Sequence, residues 1–576
     1  MSKTIIVERD VETHMRDGTV LRADVYHPET SNPLPVLLQR TPYGKGFSQT
    51  SFALMAAERD YAVVVQDTRG RWASEGLNYP MIFEKNDGYD TVEWAARQPW
   101  SNGKVGMFGG SYVGYTQYAA AAARPPSLKT IVPFVSFCNP YQIAYMGGAL
   151  TLGSMIAWVL LVITQMDILR APLSDLEKAQ LWGMLIGMVD GMAQGKTFSV
   201  LPLQDLPLIG QKGITPFFRD LLQHPTMDDL WLSLVCPYEK INIPVFHLGG
   251  WYDTFISNTL TDFNGLRLSS GTDLARSNQK LLIGPWTHGE FNNLSGEVDF
   301  GIQSSSFLVL PDEIHLRWFD YWLKDLQNGI MEEPRVRIFV MGNNQWRDEQ
   351  EWPLARTQYA HYYLHSAGNA NTLHGDGRLS QEKPSDEPAD HFVYDPRNPV
   401  PTRGGALLGW EAALPPGAYD QRIIQARPDV LVFTTPPLES DLEITGPVQV
   451  RLWATSDAPD TDFTAKLVDV EPNGYARNIQ DGIIRASCRD STSQPSLIKP
   501  DEAYAYTIEI GATSNVFKAG HCLRLEVSSS NFPRFNRNPN TGKNLTTDTE
   551  IRPARQVVLH DAEHPSHIIL PVIPDD

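Results

Sequence analysis

Cysteine is scarce in this chain. The 576 residues hold four, Cys138, Cys236, Cys488 and Cys522, far apart and with neither a C-x-x-C pair nor the spacing of metal ligands. That excludes a disulfide framework and a thiolate metal centre, and it is the pattern of reduced thiols in a cytoplasmic protein. Positive charge is also short, with 48 Lys and Arg against 67 Asp and Glu and a net charge of −19. Phosphate backbones are held by basic surfaces, so a nucleic-acid partner is excluded. The opening run Met-Ser-Lys-Thr-Ile-Ile-Val-Glu-Arg-Asp is charged too soon for a signal peptide. No internal repeat or extended low-complexity tract is present, and nothing calls for a metal or any other cofactor.

One further absence invites a membrane reading. Between Lys129 and Asp167 there is no charged side chain, and Ile156-Ala-Trp-Val-Leu-Leu-Val-Ile163 lies inside that stretch. Part of it is a strand at Thr130 to Val135, Asn139-Pro140 breaks it, and Gly147-Gly148 and Gly153 weaken the remainder as a long helix. A buried helix or a wall of a substrate pocket is expected there, with no membrane involved.

What the chain does have is a glycine-flanked serine. Val105-Gly-Met-Phe-Gly-Gly-Ser-Tyr-Val-Gly114 is an apolar strand running into Ser111 and then into a helical pattern, Tyr115 to Ala123. A serine exposed at a tight strand-to-helix turn needs small neighbours, because side chains at the crowded positions would strike the strand or the helix. Gly109 and Gly110 meet that need, although glycine falls three residues after the serine, at Gly114, and not two.

Downstream, Ile243-Pro-Val-Phe-His-Leu-Gly-Gly-Trp-Tyr-Asp253 is an apolar strand ending in an acid, and Lys280-Leu-Leu-Ile-Gly-Pro-Trp-Thr-His288 is another ending in histidine. Loops after parallel strands share one sheet edge, where ligands bind. The chain order Ser, Asp, His is that of the α/β-hydrolases. A serine hydroxyl needs a base to take its proton, and a carboxylate fixes the imidazole tautomer and stabilises the imidazolium. Ser111, His288 and Asp253 are the candidates for those roles. Asp67 and Arg69, after another apolar run, read as a loop-fixing pair outside the chemistry.

The combination Thr41-Pro-Tyr-Gly44, Gln66-Asp-Thr-Arg-Gly70, Gly106-Met-Phe-Gly-Gly-Ser-Tyr-Val-Gly114, Gly250-Trp-Tyr-Asp253 and Gly284-Pro-Trp-Thr-His288 resembles the cocaine esterase branch of the serine hydrolases. That branch is grouped with X-prolyl dipeptidyl peptidases and α-amino-acid ester hydrolases. The resemblance continues through Phe339-Val-Met-Gly342, Asp460-Thr-Asp-Phe-Thr-Ala-Lys-Leu-Val-Asp469 and Ser528-Ser-Ser-Asn-Phe-Pro533. The family itself places tyrosine directly after the nucleophile and glycine three residues after it. The resemblance implies an oxyanion hole made by the Tyr43 hydroxyl and the Tyr112 backbone N–H, two fixed donors for the charge that develops on the tetrahedral intermediate. It also implies an aromatic acyl pocket at Trp158 and Phe255, completed by Leu407 and Leu408. Gly409 stands where the family has a bulky aromatic, which implies a roomier pocket. Tyr145 and Leu161 are further apolar candidates in the same region.

The expected architecture is α/β, with an α/β-hydrolase domain over residues 1–140 and 241–350, a helical cap over 141–240, and a β-sandwich of the jelly-roll kind over 351–576. A hairpin around Arg16-Asp17-Gly18 opens the first part, helical patterns such as Asp87 to Gln98 alternate with strands, and an amphipathic helix around Glu313 to Leu326 closes it. The cap includes Leu176 to Ala193. In the last part Val448, Val450 and Leu452 alternate with Gln449 and Arg451, and Leu523, Leu525 and Val527 with Arg524 and Glu526. A polar loop, Ser366 to Asp390, crosses its surface.

The expected partner is a small-molecule ester or amide, and a homodimer stays open. An X-Pro dipeptidyl peptidase or an α-amino-acid ester hydrolase must hold a substrate ammonium with carboxylates beside the serine. Glu290 is the only acid close to His288 in sequence, and a surface position explains it equally well. A noncatalytic binding protein carrying a disabled hydrolase is the reading from another class, and any turnover of a p-nitrophenyl ester would separate the two.

Overall fold

The computed structural model describes residues 3–47, 50–209, 211–409 and 413–574. Ten strands form the first sheet: β1 (Ile5–His14), β2 (Val20–Pro28), β3 (Leu34–Thr41), β4 (Ala62–Asp67), β5 (Ser101–Gly110), β6 (Leu128–Phe134), β7 (Val245–Tyr252), β8 (Gln279–Thr287), β9 (Val336–Val340) and β10 (Gln345–Glu349). Their spatial order is β1-β2-β4-β3-β5-β6-β7-β8-β9-β10. Pairing from β4 through β9 is parallel, and the β1-β2, β2-β4 and β9-β10 pairs are antiparallel.

The central strands are buried along nearly their whole length, as expected when helices cover both faces of a parallel sheet. Successive residues face opposite sides. Leu37, Val63, Val65, Phe108, Val132 and Phe246 pack under the helices Thr50–Glu58 and Pro311–Lys324. Leu38, Val64, Met107, Ile131 and Val245 pack under Glu84–Ala96 and Tyr112–Ala123. Three of these helices fall within a few residues of patterns in the sequence, and Thr50–Glu58 was not anticipated.

Helical material occupies the stretch between β6 and β7. Its centre is a continuous helix, Leu152–Trp158, a π-helical turn Val159–Ile163, and Thr164–Arg170. Here the expectation that glycines would interrupt a long helix fails. Gly153 sits in the first turn against Leu414, where a Cβ would meet the leucine at 2.2 Å, so it answers a close contact and does not end the helix. The nineteen residues are long and apolar enough to cross a membrane, but 78% of that window is buried inside the protein, which marks it as a core helix. A second helix, Asp175–Ala193, starts from a reciprocal cap between Ser174 and Glu177.

From Gln358 to Val572 the chain builds an almost wholly antiparallel eleven-stranded sheet around its own core. In the long strand Leu442–Ser456, burial alternates as the sequence period requires. Cys522–Ser528 departs from it, since Arg524 and Glu526 are buried too. Gln425 covers them, accepting from Arg524 at 2.6 Å and donating to Glu526 at 2.8 Å. A polar period-two face can therefore be interior when each group finds a partner. The segment Ser366 to Asp390 contributes the short strand Arg378–Ser380, and its ends are tied by a 2.7 Å hydrogen bond from Ser366 to Asp390.

Candidate active site

Ser111 joins β5 to the helix Tyr112–Ala123 with φ 60° and ψ −130°, a conformation that side chains rarely adopt. Its backbone N–H holds it there, donating to Phe134 at 3.0 Å and Val135 at 3.2 Å. Gly109 has φ +127°, and a Cβ on it would lie 2.4 Å from Val113. Gly114 is needed for a different reason, since Ser136 sits where its Cβ would be, 2.4 Å away. Ser136 in turn donates to the Ser111 carbonyl at 2.9 Å. The glycine three places after the serine is thus the one the neighbouring strand end requires.

Asp253 follows β7 and is fully buried. One carboxylate oxygen accepts from the Phe255 N–H. The other faces His288 Nδ1 at 3.0 Å. His288, after β8, turns Nε2 to the Ser111 hydroxyl at 3.1 Å. These partners set the tautomer: Nδ1–H donates to Asp253, leaving Nε2 to accept the serine proton. The Phe255 ring closes one side of the imidazole edge-on at 5.1 Å. A parallel backbone bridge to Leu407 fixes Asp253 from the β-rich part of the chain.

Tyr43 lies just beyond β3. Its hydroxyl is set among the Ser111 side chain, the Tyr112 backbone N–H and the Trp158 indole, and burial raises its pKa against the pull of those contacts. Tyr112 begins a helix, whose N-terminal N–H groups favour negative charge. Its own phenol is anchored behind the site, accepting from Met81 N–H at 2.7 Å and donating to Glu84 at 3.0 Å. Burial holds the Glu84 carboxyl above its usual range, opposed by Arg40, which donates to it.

Beside Ser111 opens a cavity whose space, including its mouth, is about 490 Å³. Trp158, Phe255 and Leu408 line it, with Phe137, Phe217 and Trp231. Trp158 stacks on Tyr112 at 5.8 Å, and Phe137 meets Phe255 edge-on at 5.0 Å. None of the described lining residues is charged. The other candidates fall elsewhere. Leu407 is not on the cavity wall and meets Asp253 through its backbone. Tyr145 lines two other cavities, stacking on Tyr141 at 5.5 Å and donating to the Leu221 carbonyl. Leu161 is only packed against the surrounding core. Gly409 has φ +78°, and a Cβ there would meet Pro416 at 2.7 Å, a contact that favours glycine at this position. Glu290 is exposed.

Phe137, Phe217 and Trp231 were not anticipated. They come from a loop and two short helices, where no periodicity points at a cavity. Asp67 and Arg69 do fix loops, but not as a pair: Asp67 accepts from Lys45 and Ala73 N–H groups, and Arg69 binds Asp17 and Asp87.

A serine, a histidine and a buried aspartate in hydrogen-bonded series, at the loop edge of a parallel sheet with helices on both faces, mark a serine hydrolase of the α/β-hydrolase fold. Residues 17–290 match the family described as X-Pro dipeptidyl-peptidase (S15 family), and residues 328–569 match the X-Pro dipeptidyl-peptidase C-terminal non-catalytic domain. The chain is 38% identical over 580 residues to the cocaine esterase of Rhodococcus sp. (strain MB1 Bresler), covering 98% of both chains. It belongs to the cocaine esterase-like branch of these serine hydrolases. A putative serine esterase of Mycobacterium bovis is 25% identical, with 97% of this chain and 94% of the relative covered. Among solved structures, an aminopeptidase from a marine sediment archaeon superposes with a TM-score of 0.79 at 26% identity, covering 100% of this chain and 97% of the other. An α-amino acid ester hydrolase shares the fold with a TM-score of 0.78 at 24% identity, over 99% and 97%.

Proposed function

We propose that the protein hydrolyses carboxylic esters with a bulky or aromatic acyl group through an acyl-enzyme on Ser111. His288 takes the Ser111 proton as the oxygen attacks the ester carbonyl. The tetrahedral oxyanion is met by the Tyr43 hydroxyl and the Tyr112 N–H, and His288 returns the proton to the departing alcohol. Water then attacks the acyl carbonyl with His288 again as base, releasing the acid and restoring the serine. Asp253 holds the imidazole in the required tautomer throughout.

The observation that carries this reading is the uncharged, ring-lined cavity beside Ser111. A substrate ammonium buried there would find no carboxylate among the described lining residues, at a cost of several kcal/mol. An aromatic acyl group would gain about 25 cal/mol for each Å² of apolar surface it buries. The relative named as a cocaine esterase supports the same choice over the peptidases. All four cysteines are free, which supports a reducing, cytoplasmic setting. Parallel assays with p-nitrophenyl benzoate and an X-Pro p-nitroanilide test the reading: the ester should turn over and the anilide should not. A kcat/KM for the anilide equal to or above that for the ester would overturn it.

A further inference from the structure

Arg71 stands two residues beyond Arg69 in the loop after β4, and only 2% of it is exposed. Its guanidinium spends its donors on backbone carbonyls from two parts of the chain. Nε donates to Pro42 at 2.9 Å, Nη2 to Val162 at 2.7 Å, and Nη1 to Ile163 at 3.4 Å. Pro42 directly precedes Tyr43, and Val162 and Ile163 belong to the π-helical turn that begins directly after Trp158. The Trp72 indole adds a second donor to the Pro42 carbonyl at 3.0 Å. Burial lowers the Arg71 pKa to about 10, opposed through space by Asp167 and by the phenols of Tyr112 and Tyr43. A buried cation is a costly way to satisfy carbonyls alone. What it gains is a rigid fork that holds two elements at once, with positive charge close to where negative charge develops.

We propose that Arg71 is a positioning residue for ester hydrolysis, clamping the Tyr43 turn to the helix that carries Trp158, so that the oxyanion donor and the acyl-pocket wall are set as one unit. The inference rests on Tyr43 acting as an oxyanion donor. Loss of the clamp acts on the transition state through Tyr43, and on bulky acyl groups through Trp158, while leaving the serine, histidine and aspartate untouched.

The test is a double-mutant cycle read on p-nitrophenyl benzoate and acetate. Arg71→Lys keeps the charge but loses the fork. It should lower kcat for benzoate about tenfold, with KM changed less than about threefold and acetate affected less. In a Tyr43→Phe background the same substitution should change kcat for acetate less than about twofold and leave benzoate only the smaller loss made through Trp158, whereas the thermal midpoint should fall equally in both backgrounds. Arg71→Met should behave alike with a larger loss; if it does not fold, the Lys arm decides alone. An equal kcat loss in both backgrounds would show a purely structural role and overturn the proposal. So would an unchanged kcat in Arg71→Lys while Tyr43→Phe keeps its own loss. A Tyr43→Phe variant at the wild-type rate would instead sink the oxyanion reading, and this inference with it.

Discussion

Ser111 is held in a backbone conformation that costs on the order of 1–3 kcal/mol, and two backbone acceptors, a hydroxyl and two glycines maintain it. The strain belongs to the main chain and not to the hydroxyl. Ser111→Ala should therefore leave the thermal midpoint at the wild-type value, while turnover falls by roughly 10⁴–10⁶-fold because the three groups act as a unit. Steady-state assay and calorimetry check both halves; near-normal turnover would contradict the mechanism, as would loss of activity on chelation. Tyr43→Phe is the subtler change. It removes one donor with little change of volume, so kcat should fall about 10²–10³-fold with KM much less affected. A drop in thermal stability with only a small kinetic effect would mark Tyr43 as a packing residue.

At the scale of elements, the helix Leu152–Arg170 does two jobs: it fills the core and presents Trp158 to the cavity. Trp158→Ala should cost bulky acyl groups more than small ones, because only they use the ring's apolar surface. A panel of p-nitrophenyl esters from acetate to benzoate and longer chains measures this, and an equal loss for every ester would remove Trp158 from the pocket. The sheet was legible in the sequence because each central strand is a continuous apolar run closed by a distinctive loop. Ser111, Asp253 and His288 could be picked out for the same reason, each standing just past such a run. The cavity wall was legible only through resemblance, and only in part. Phe137, Phe217 and Trp231 sit in short irregular segments whose meeting point depends on tertiary packing. The π-helical turn has no sequence signature, and Arg71 resembles any loop arginine until its three carbonyl partners are seen.

For the molecule as a whole, one buried acid ties pH to stability. Asp262, on the helix Ile256–Ser269, accepts from Cys138 N–H at 2.9 Å and from the Tyr238 hydroxyl at 2.8 Å, and burial pushes its pKa up to about 7. Unfolded, it releases its proton near 3.8. Between those values the folded state holds the extra proton, so this contribution is fully present at low pH and is lost as pH rises through about 7. Asp262→Asn can accept from Cys138 and donate to Tyr238 with no charge to bury. It should match wild type near pH 4 and exceed it at pH 8 by on the order of 2–4 kcal/mol, read from thermal melts across that range. A constant difference at every pH would show that Asp262 does not titrate there.

The bridge between Asp253 and Leu407 has a consequence for how such enzymes change over evolutionary time. It is made of main-chain atoms, so it is indifferent to the side chain that stands there. The neighbouring residue, Leu408, reaches the cavity from the same loop. Descendants can therefore reletter that loop for a new acid without disturbing the aspartate hydrogen-bonded to His288. Novelty enters through a segment some three hundred residues along the chain from the serine it serves.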